Sequence, residues 1–301
     1  MFSILEDTFM ECTISSDQMS VGLTSLGGTL TSIKDTSGLE YLWQPDPDVW
    51  SGQAPIVFPI CGGLRNDKAM TREGEPIRLK RHGFARKMQF ELSDNQEDSA
   101  TFVLRSDGST LAQYPFEFEL AAEYQVHART LDVIYRVTNT DVRPMPFFIG
   151  GHPAFRCPLR DGDAYDDYTI EFERNETDVC TPVPSTGLID VAHRNVAPQE
   201  GKILRLSHEL FDYAETIYDC LASRRVTFSR GGEAPGLQVS FPQMPYLIVW
   251  SKPNADFVAI EPWSGLSTCS DEDDIFEHKR GCLVCQPGET IERGFSIELL
   301  Q

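Results

Sequence analysis

Apolar and polar residues alternate with a period of two along much of the chain. Phe116, Phe118 and Leu120 alternate with charged residues, and Ala122, Tyr124 and Val126 continue the same face. After a short polar turn, Leu131, Val133, Tyr135 and Val137 alternate again. This pattern predicts an antiparallel hairpin. Residues 101–104 read as another strand. Tyr246–Trp250 and 257–260 are short, continuous apolar runs, each closely followed by a proline, the pattern of buried strands. Helical periodicity is scarce and confined to short stretches near 211–221 and 275–280. Gly-Gly pairs at 27–28, 62–63, 150–151 and 231–232 mark turns or close backbone approaches. Strand patterns run from the first fifty residues to the last ten, with no Pro/Ser/Gly linker and no internal repeat. The expected architecture is a single all-β domain over residues 1–301, a large antiparallel β-sandwich of two packed sheets.

Composition narrows the partners. Hydrophobic residues make up 41% of the 301, and 18 are Phe, enough for a large core. Most of those Phe are core filling. Aromatics would also suit the apolar C–H faces of a sugar ring. Lys plus Arg total 26 against 46 Asp plus Glu, a net charge of −20. Such a chain repels phosphate backbones and anionic lipid, so neither nucleic acid nor membrane is an expected partner. A neutral small molecule fits better than a polyanion, although a local Arg cluster can still bind one phosphate. The start, MFSILEDTFMECTIS, lacks a basic region followed by an apolar one, so no secretory signal is expected. No apolar run approaches a membrane span. Cytoplasmic residence follows as the expectation, with the eight Cys reduced. A monomer or weak homodimer is expected.

Three polar islands interrupt the strand-like sequence: Arg81-His82-Gly83-Phe84-Ala85-Arg86, Gly150-Gly151-His152-Pro153-Ala154-Phe155, and Ile260-Glu261-Pro262-Trp263. His152 follows a Gly-Gly pair. Glu261 ends an apolar strand before a proline, a placement that puts a carboxylate at a sheet rim. Each has a plain alternative: a hydrogen-bonded turn histidine, a solvated strand-end carboxylate, a surface loop around His82. Together they meet one chemical requirement. Opening a pyranose ring takes a proton from the anomeric hydroxyl and delivers one to the ring oxygen. A carboxylate and an imidazole flanking the ring can do both, and neither a metal nor an organic cofactor is required.

These islands, in this order, resemble the aldose 1-epimerase family within the galactose mutarotase-like superfamily. The similarity is carried by FPICGGL from Phe58, RHGFAR from Arg81, GGHPAF from Gly150, VWSKPNADFVAIEPW from Val249 and QPGE from Gln286, and spans about the whole chain. The resemblance implies the galactose mutarotase-like supersandwich. It also implies His152 as the general acid at the ring oxygen, Glu261 as the general base at the anomeric hydroxyl, and His82 as a group that holds and polarises the ring-oxygen side. An arginine near the FPICGGL segment binds sugar hydroxyls in the family. Many members carry it directly after the glycine matching Gly62, where this chain has Gly63, and Arg65 is the candidate replacement. Asp212 is the nearest counterpart to a substrate-binding aspartate, and Trp263 completes the candidate binding set.

The same sequence admits other readings. Cys269, His278, Cys282 and Cys285 can be drawn as a zinc site. However, Cys282 and Cys285 fall in an apolar, strand-like CLVC run where residues three apart face opposite ways, and no second CxxC exists. The acidic run 270–274 lacks the spacing and glycine of a calcium loop and reads as solvated. Functional alternatives are a hexose-phosphate mutarotase using Arg65, Arg81 or Arg86, and a sugar-binding or regulatory module without turnover. Retaining glycoside hydrolysis ranks last, because it needs two close carboxylates.

Overall fold

A computed structural model describes residues 10–183 and 185–300. The first nine residues, part of the stretch read above for a leader, lie outside the described residues.

Nine antiparallel strands form one sheet, in the order Ile203–Arg205, Thr169–Phe172, Arg225–Arg230, Glu233–Ser240, Thr290–Leu300, Thr130–Asn139, Phe118–His127, Ser99–Arg105, Glu91–Asn95. The hairpin at its centre is the one the alternation predicts. Phe118–His127 pairs with Thr130–Asn139 in an unbroken register, from Thr130 opposite His127 to Asn139 opposite Phe118. Ala128 turns the corner with a positive φ of 49°. Burial alternates strictly along both strands, so a one-residue slip would turn every core side chain to solvent.

A second sheet of six strands, also antiparallel, holds the buried runs. Its order is Thr216–Tyr218, Tyr246–Trp250, Phe257–Trp263, Gly150–Gly151, Ile56–Val57, with Ala154–Arg156 also on Phe257–Trp263. All seven residues of Phe257–Trp263 are buried. Alternation sorts its two faces. Val258 and Ile260 join the main core shared with Val133, Leu237 and Ile297 of the large sheet. Phe257 and Ala259, on the opposite face, pack in a separate cluster with Ala154, Trp43 and Trp50. Glu261 shares that second face. The sheets therefore stack as a sandwich, with a smaller apolar layer beyond the inner one.

One expected helix-like stretch resolves otherwise. Residues 211–221 contain the end of a 3-10 turn, His208–Phe211, and then the strand Thr216–Tyr218. The Thr-Ile-Tyr run suits the open edge of Tyr246–Trp250, and strand pairing there overrides weak helical periodicity. Near 275–280 only the 3-10 turn Phe276–His278 forms. The acidic run 270–274 is ion-paired instead of merely solvated: Asp271 and Glu272 meet Arg280, Glu272 meets Lys279, Asp273 meets His278 and Asp274 meets Arg65. No helix among the described residues is long and apolar enough to cross a membrane.

Candidate active site

Three separate segments bring His82, His152 and Glu261 to one cleft of about 310 Å³. Glu261 stands opposite Ile248 in the register of the two central strands. Two residues further along the same face from Ile248, Trp250 also lines the cleft. His152 follows Gly150–Gly151, a two-residue strand wedged between Phe257–Trp263 and Ile56–Val57. These glycines are required by close approach. A Cβ on Gly150 would meet Trp263 Cδ1 at 2.7 Å, and one on Gly151 would meet the Phe295 ring at 2.5 Å. The chain then exits with the His152 N–H donating to the Pro55 carbonyl at 3.1 Å. That sets the imidazole beside Glu261, with His152 Nε2 3.2 Å from Glu261 Oε2.

His82 reaches the cleft by a sharp turn. Its φ is +66°, a region that non-glycine residues rarely adopt. Its N–H donates to the Gly62 carbonyl at 2.7 Å, and the Gly62 N–H donates back to His82 Nδ1 at 3.3 Å. Accepting at Nδ1 places the ring proton on Nε2, so His82 offers a donor from its other nitrogen. Such strain concentrates at functional positions.

Aromatic rings wall in the two histidines. Trp50 stacks on His152 at 5.3 Å between centroids, Trp250 meets it edge-on at 5.6 Å, and His82 lies 5.4 Å away. Trp263 sits against His82 at 5.3 Å. It supports that ring and is not among the cleft-lining residues.

Burial decides the electrostatics. Exposure is 7% for His152, 5% for His82 and 1% for Glu261. Desolvation, with Arg81 and Arg86 adding to it, drives the His152 imidazolium down to about 3. His82 is likewise held well below the ordinary imidazole range, first by burial and then by Arg81, His152 and Arg86. The Glu261 carboxyl is pushed well above the carboxylate range by burial, with the Glu215 charge adding to it. Both members of the pair therefore favour their neutral forms, with one proton between them. Despite their closeness, His152 Nδ1 and Glu261 Oε2 have no hydrogen-bond partner within the protein. Buried polar atoms left without partners are costly, and both residues line the cleft.

Arg65 and Asp212 stand apart from this group. Arg65 Nε contacts Asp274 Oδ1 at 3.0 Å and its Nη2 donates to the Glu272 carbonyl at 2.9 Å. It is thereby committed to the acidic loop and is not in the cleft lining. Residues 63 and 64 lie outside any strand and Arg65 opens a 3-10 turn, so the two-residue shift from position 63 does not preserve the place. Asp212 caps the 3-10 turn and is exposed; Glu215, three residues on, is the acid that reaches the cleft. Glu215 receives Arg81 Nη2 at 2.6 Å. The sequence reading missed Trp50, Trp250 and Glu215 as site residues. Only Trp250 carried a sequence signal, as the end of the apolar run Tyr246–Trp250 and part of the VWSKPNADFVAIEPW segment; Glu215 fell in a stretch read as helix-like. No group of three or more His, Cys, Asp or Glu among the described residues is arranged to hold a metal ion. His278 of the zinc reading contacts Asp273.

Comparison with known proteins extends the geometry. A family model described as aldose 1-epimerase matches residues 10–298. The plasmid-encoded protein LacX of Lactococcus lactis subsp. lactis is 42% identical over 298 residues, covering 97% of this chain and 100% of LacX. Its chromosomal counterpart is 41% identical over the same extent. Among solved structures, a galactose mutarotase related enzyme from Lactobacillus acidophilus superposes with a TM-score of 0.91 at 30% identity, over 97% of this chain and 98% of that one. A galactose mutarotase-like protein from Lactobacillus casei superposes with a TM-score of 0.89 at 29% identity, over 97% and 100% of the two chains.

Proposed function

Because this chain belongs to the aldose 1-epimerase family, we propose that it interconverts the α and β anomers of an aldohexose, with Glu261 and His152 as the proton-transfer pair. The observation that carries the proposal is the 3.2 Å approach of His152 Nε2 to Glu261 Oε2 at the buried floor of an aromatic-walled cleft.

The chemistry needs one proton on the pair throughout. In the closed-ring complex the proton sits on His152 and Glu261 is ionised. Glu261 removes the O1 proton, the C1–O5 bond breaks as C1=O1 forms, and His152 protonates O5. Rotation about C1–C2 then presents either face of the aldehyde, and reversing the two transfers closes the ring. The open-chain complex leaves a neutral carboxyl and a neutral imidazole, the forms that burial favours. The dry site thus penalises the charge-separated state from which the reaction starts and lowers the cost of leaving it. Contact within the pair lets its proton pass from Glu261 to His152 once sugar hydroxyls supply the missing hydrogen bonds. His82, its Nε2 proton fixed by Gly62, donates on the ring-oxygen side. No step calls for a cofactor. The other carboxylate in the cleft, Glu215, is engaged by Arg81, which disfavours a two-carboxylate glycosidase. All eight cysteines are unpaired, in keeping with a proposed cytoplasmic setting. We propose a single domain acting as a monomer or weak homodimer.

The test is anomerisation of fresh α-glucose and α-galactose, followed by polarimetry against the spontaneous rate. Acceleration by the wild type is expected. Glu261→Gln and His152→Asn should each lower kcat by about 10²–10⁴-fold, the usual worth of a general acid or base. The double variant should be little worse than the poorer single one, since both act on one event. Near wild-type turnover in Glu261→Gln would refute the base assignment. Sugar binding without any acceleration would instead favour a non-catalytic module.

A further inference from the structure

The strand Phe257–Trp263 runs directly into residues 264–268, Ser-Gly-Leu-Ser-Thr, all of which are buried. Three of the five carry hydroxyls, yet none lines the cleft. Buried hydroxyls are costly unless they find partners, and the two serines find theirs on the segments that carry the histidines. The Ile149 N–H donates to Ser264 Oγ at 2.9 Å, and the Ser264 N–H donates to the Ile149 carbonyl at 2.9 Å. Ile149 directly precedes Gly150–Gly151 and His152. The Gly63 N–H donates to Ser267 Oγ at 3.0 Å, and the Thr268 N–H donates to the Gly63 carbonyl at 2.9 Å. Gly63 adjoins Gly62, whose N–H donates to His82 Nδ1. Packing is as close as the hydrogen bonding: a Cβ on Gly265 would run into the Phe148 ring, and one on Gly62 into the Ser267 hydroxyl.

A buried ion pair meets the far end of this segment. Lys279 is buried; its Nζ donates to Thr268 Oγ1 at 2.9 Å and pairs with Glu272 Oε2 at 3.3 Å. Glu272 also accepts the Cys269 N–H at 2.9 Å and the Arg280 N–H at 2.8 Å. Such a pair adds little net stability, because desolvation offsets the attraction.

Resting on the anomerisation reading above, we propose that Ser264, Ser267 and Lys279 are positioning residues for the proton-transfer groups. Ser264 ties the carrier of His152 to the strand of Glu261. Ser267 ties the cradle of His82 to the same strand, and Lys279 locks the end of the tie through Thr268. The physical need is precision. His152 and Glu261 must stay within hydrogen-bond reach of each other and of the sugar ring. The His82 tautomer depends on one donor, the Gly62 N–H. Glu261 stands three residues before Ser264, so one stiff run of backbone serves as the common reference for all three groups.

The experiment compares Ser264→Ala, Ser267→Ala and Lys279→Met with the wild type. It uses thermal melts, anomerisation of glucose and galactose with spontaneous rates subtracted, and proton–nitrogen NMR spectra of the histidine rings. Each variant is expected to lower kcat roughly 10-fold with KM little changed, short of the ~100-fold that a full ångström of misplacement costs. The spectra should sort the variants. Ser267→Ala and Lys279→Met should mix the His82 tautomers and leave the His152 ring as it is in the wild type. Ser264→Ala should shift the His152 ring and leave His82. Lys279→Met keeps the side-chain volume and leaves Glu272 paired with Arg280. Its melting temperature should therefore match or exceed the wild type's while kcat falls, a split that a merely stabilising lysine would not give. Thr268→Val should reproduce Lys279→Met, and Thr268→Ser, which keeps the hydroxyl, should keep wild-type turnover. Wild-type kcat with unchanged rings in Ser267→Ala and Lys279→Met would overturn the proposal. So would losses of kcat that follow the melting temperature, with both histidine rings moved alike. If no sugar is turned over, the anomerisation reading fails by itself and the spectra decide. The sorted pattern then sustains the positioning roles, and its absence overturns them.

Discussion

At the scale of single residues, the site is built from groups that burial holds in their neutral forms. Glu261 is the sharpest case. In the unfolded chain its carboxyl has the ordinary value of 4.5, and folding pushes it well above that. Above pH 4.5 the unfolded chain releases a proton that the folded chain keeps, so the folded state loses stability as pH rises. Glu261→Gln removes this linkage. Its melting temperature should exceed the wild type's near about pH 8, by a margin that shrinks as pH falls and vanishes below the unfolded value. Thermal melts of both proteins across pH provide the check. A margin independent of pH would mean that Glu261 is ionised in the folded protein. The same substitution is expected to abolish most activity, so stability and turnover should move in opposite directions at one position.

At the scale of elements, the two-residue strand Gly150–Gly151 sets where His152 stands. It lies between Ile56–Val57 and the fully buried Phe257–Trp263 strand, with its back against Phe295 and Tyr135 of the large sheet. Side chains there would force the layers apart. Gly151→Ala places a Cβ 2.5 Å from the Phe295 ring. The expected cost is about 1–3 kcal/mol of stability, as for other overpacked cores. Because the strand carries His152 directly, kcat should fall more than KM rises. Denaturant melts and steady-state anomerisation measure the two effects. Wild-type values for both would show that the sheets yield more easily than close packing implies.

At the scale of the whole molecule, the chemistry lies on the outer face of the smaller sheet and the large sheet supports it from behind. All four tryptophans, Trp43, Trp50, Trp250 and Trp263, cluster on that outer side or beside the histidines. Their fluorescence therefore reports on the site, while far-UV circular dichroism reports mainly on the nine-stranded sheet. On the proposed single-domain organisation the protein should unfold in one step, with the two signals sharing one midpoint. Separate midpoints would mean that the cleft layer melts independently of the large sheet.

The sequence by itself determined the strand class, the central hairpin, and the identities of His82, His152 and Glu261 as candidates. Those features rest on local alternation and on short motifs, which the linear order preserves. Only the tertiary structure decided which side chains share the cleft. Arg65 and Asp212 were reasonable by motif position, but the acidic loop holds one and the other stays exposed at a turn end. Trp50, Trp250 and Glu215 enter because sheet stacking and strand register carry them there from segments remote in sequence. The neutral state of the pair is likewise a property of the fold. A carboxyl and an imidazole become costly to ionise only when the layers around them exclude water, and no linear pattern measures that exclusion.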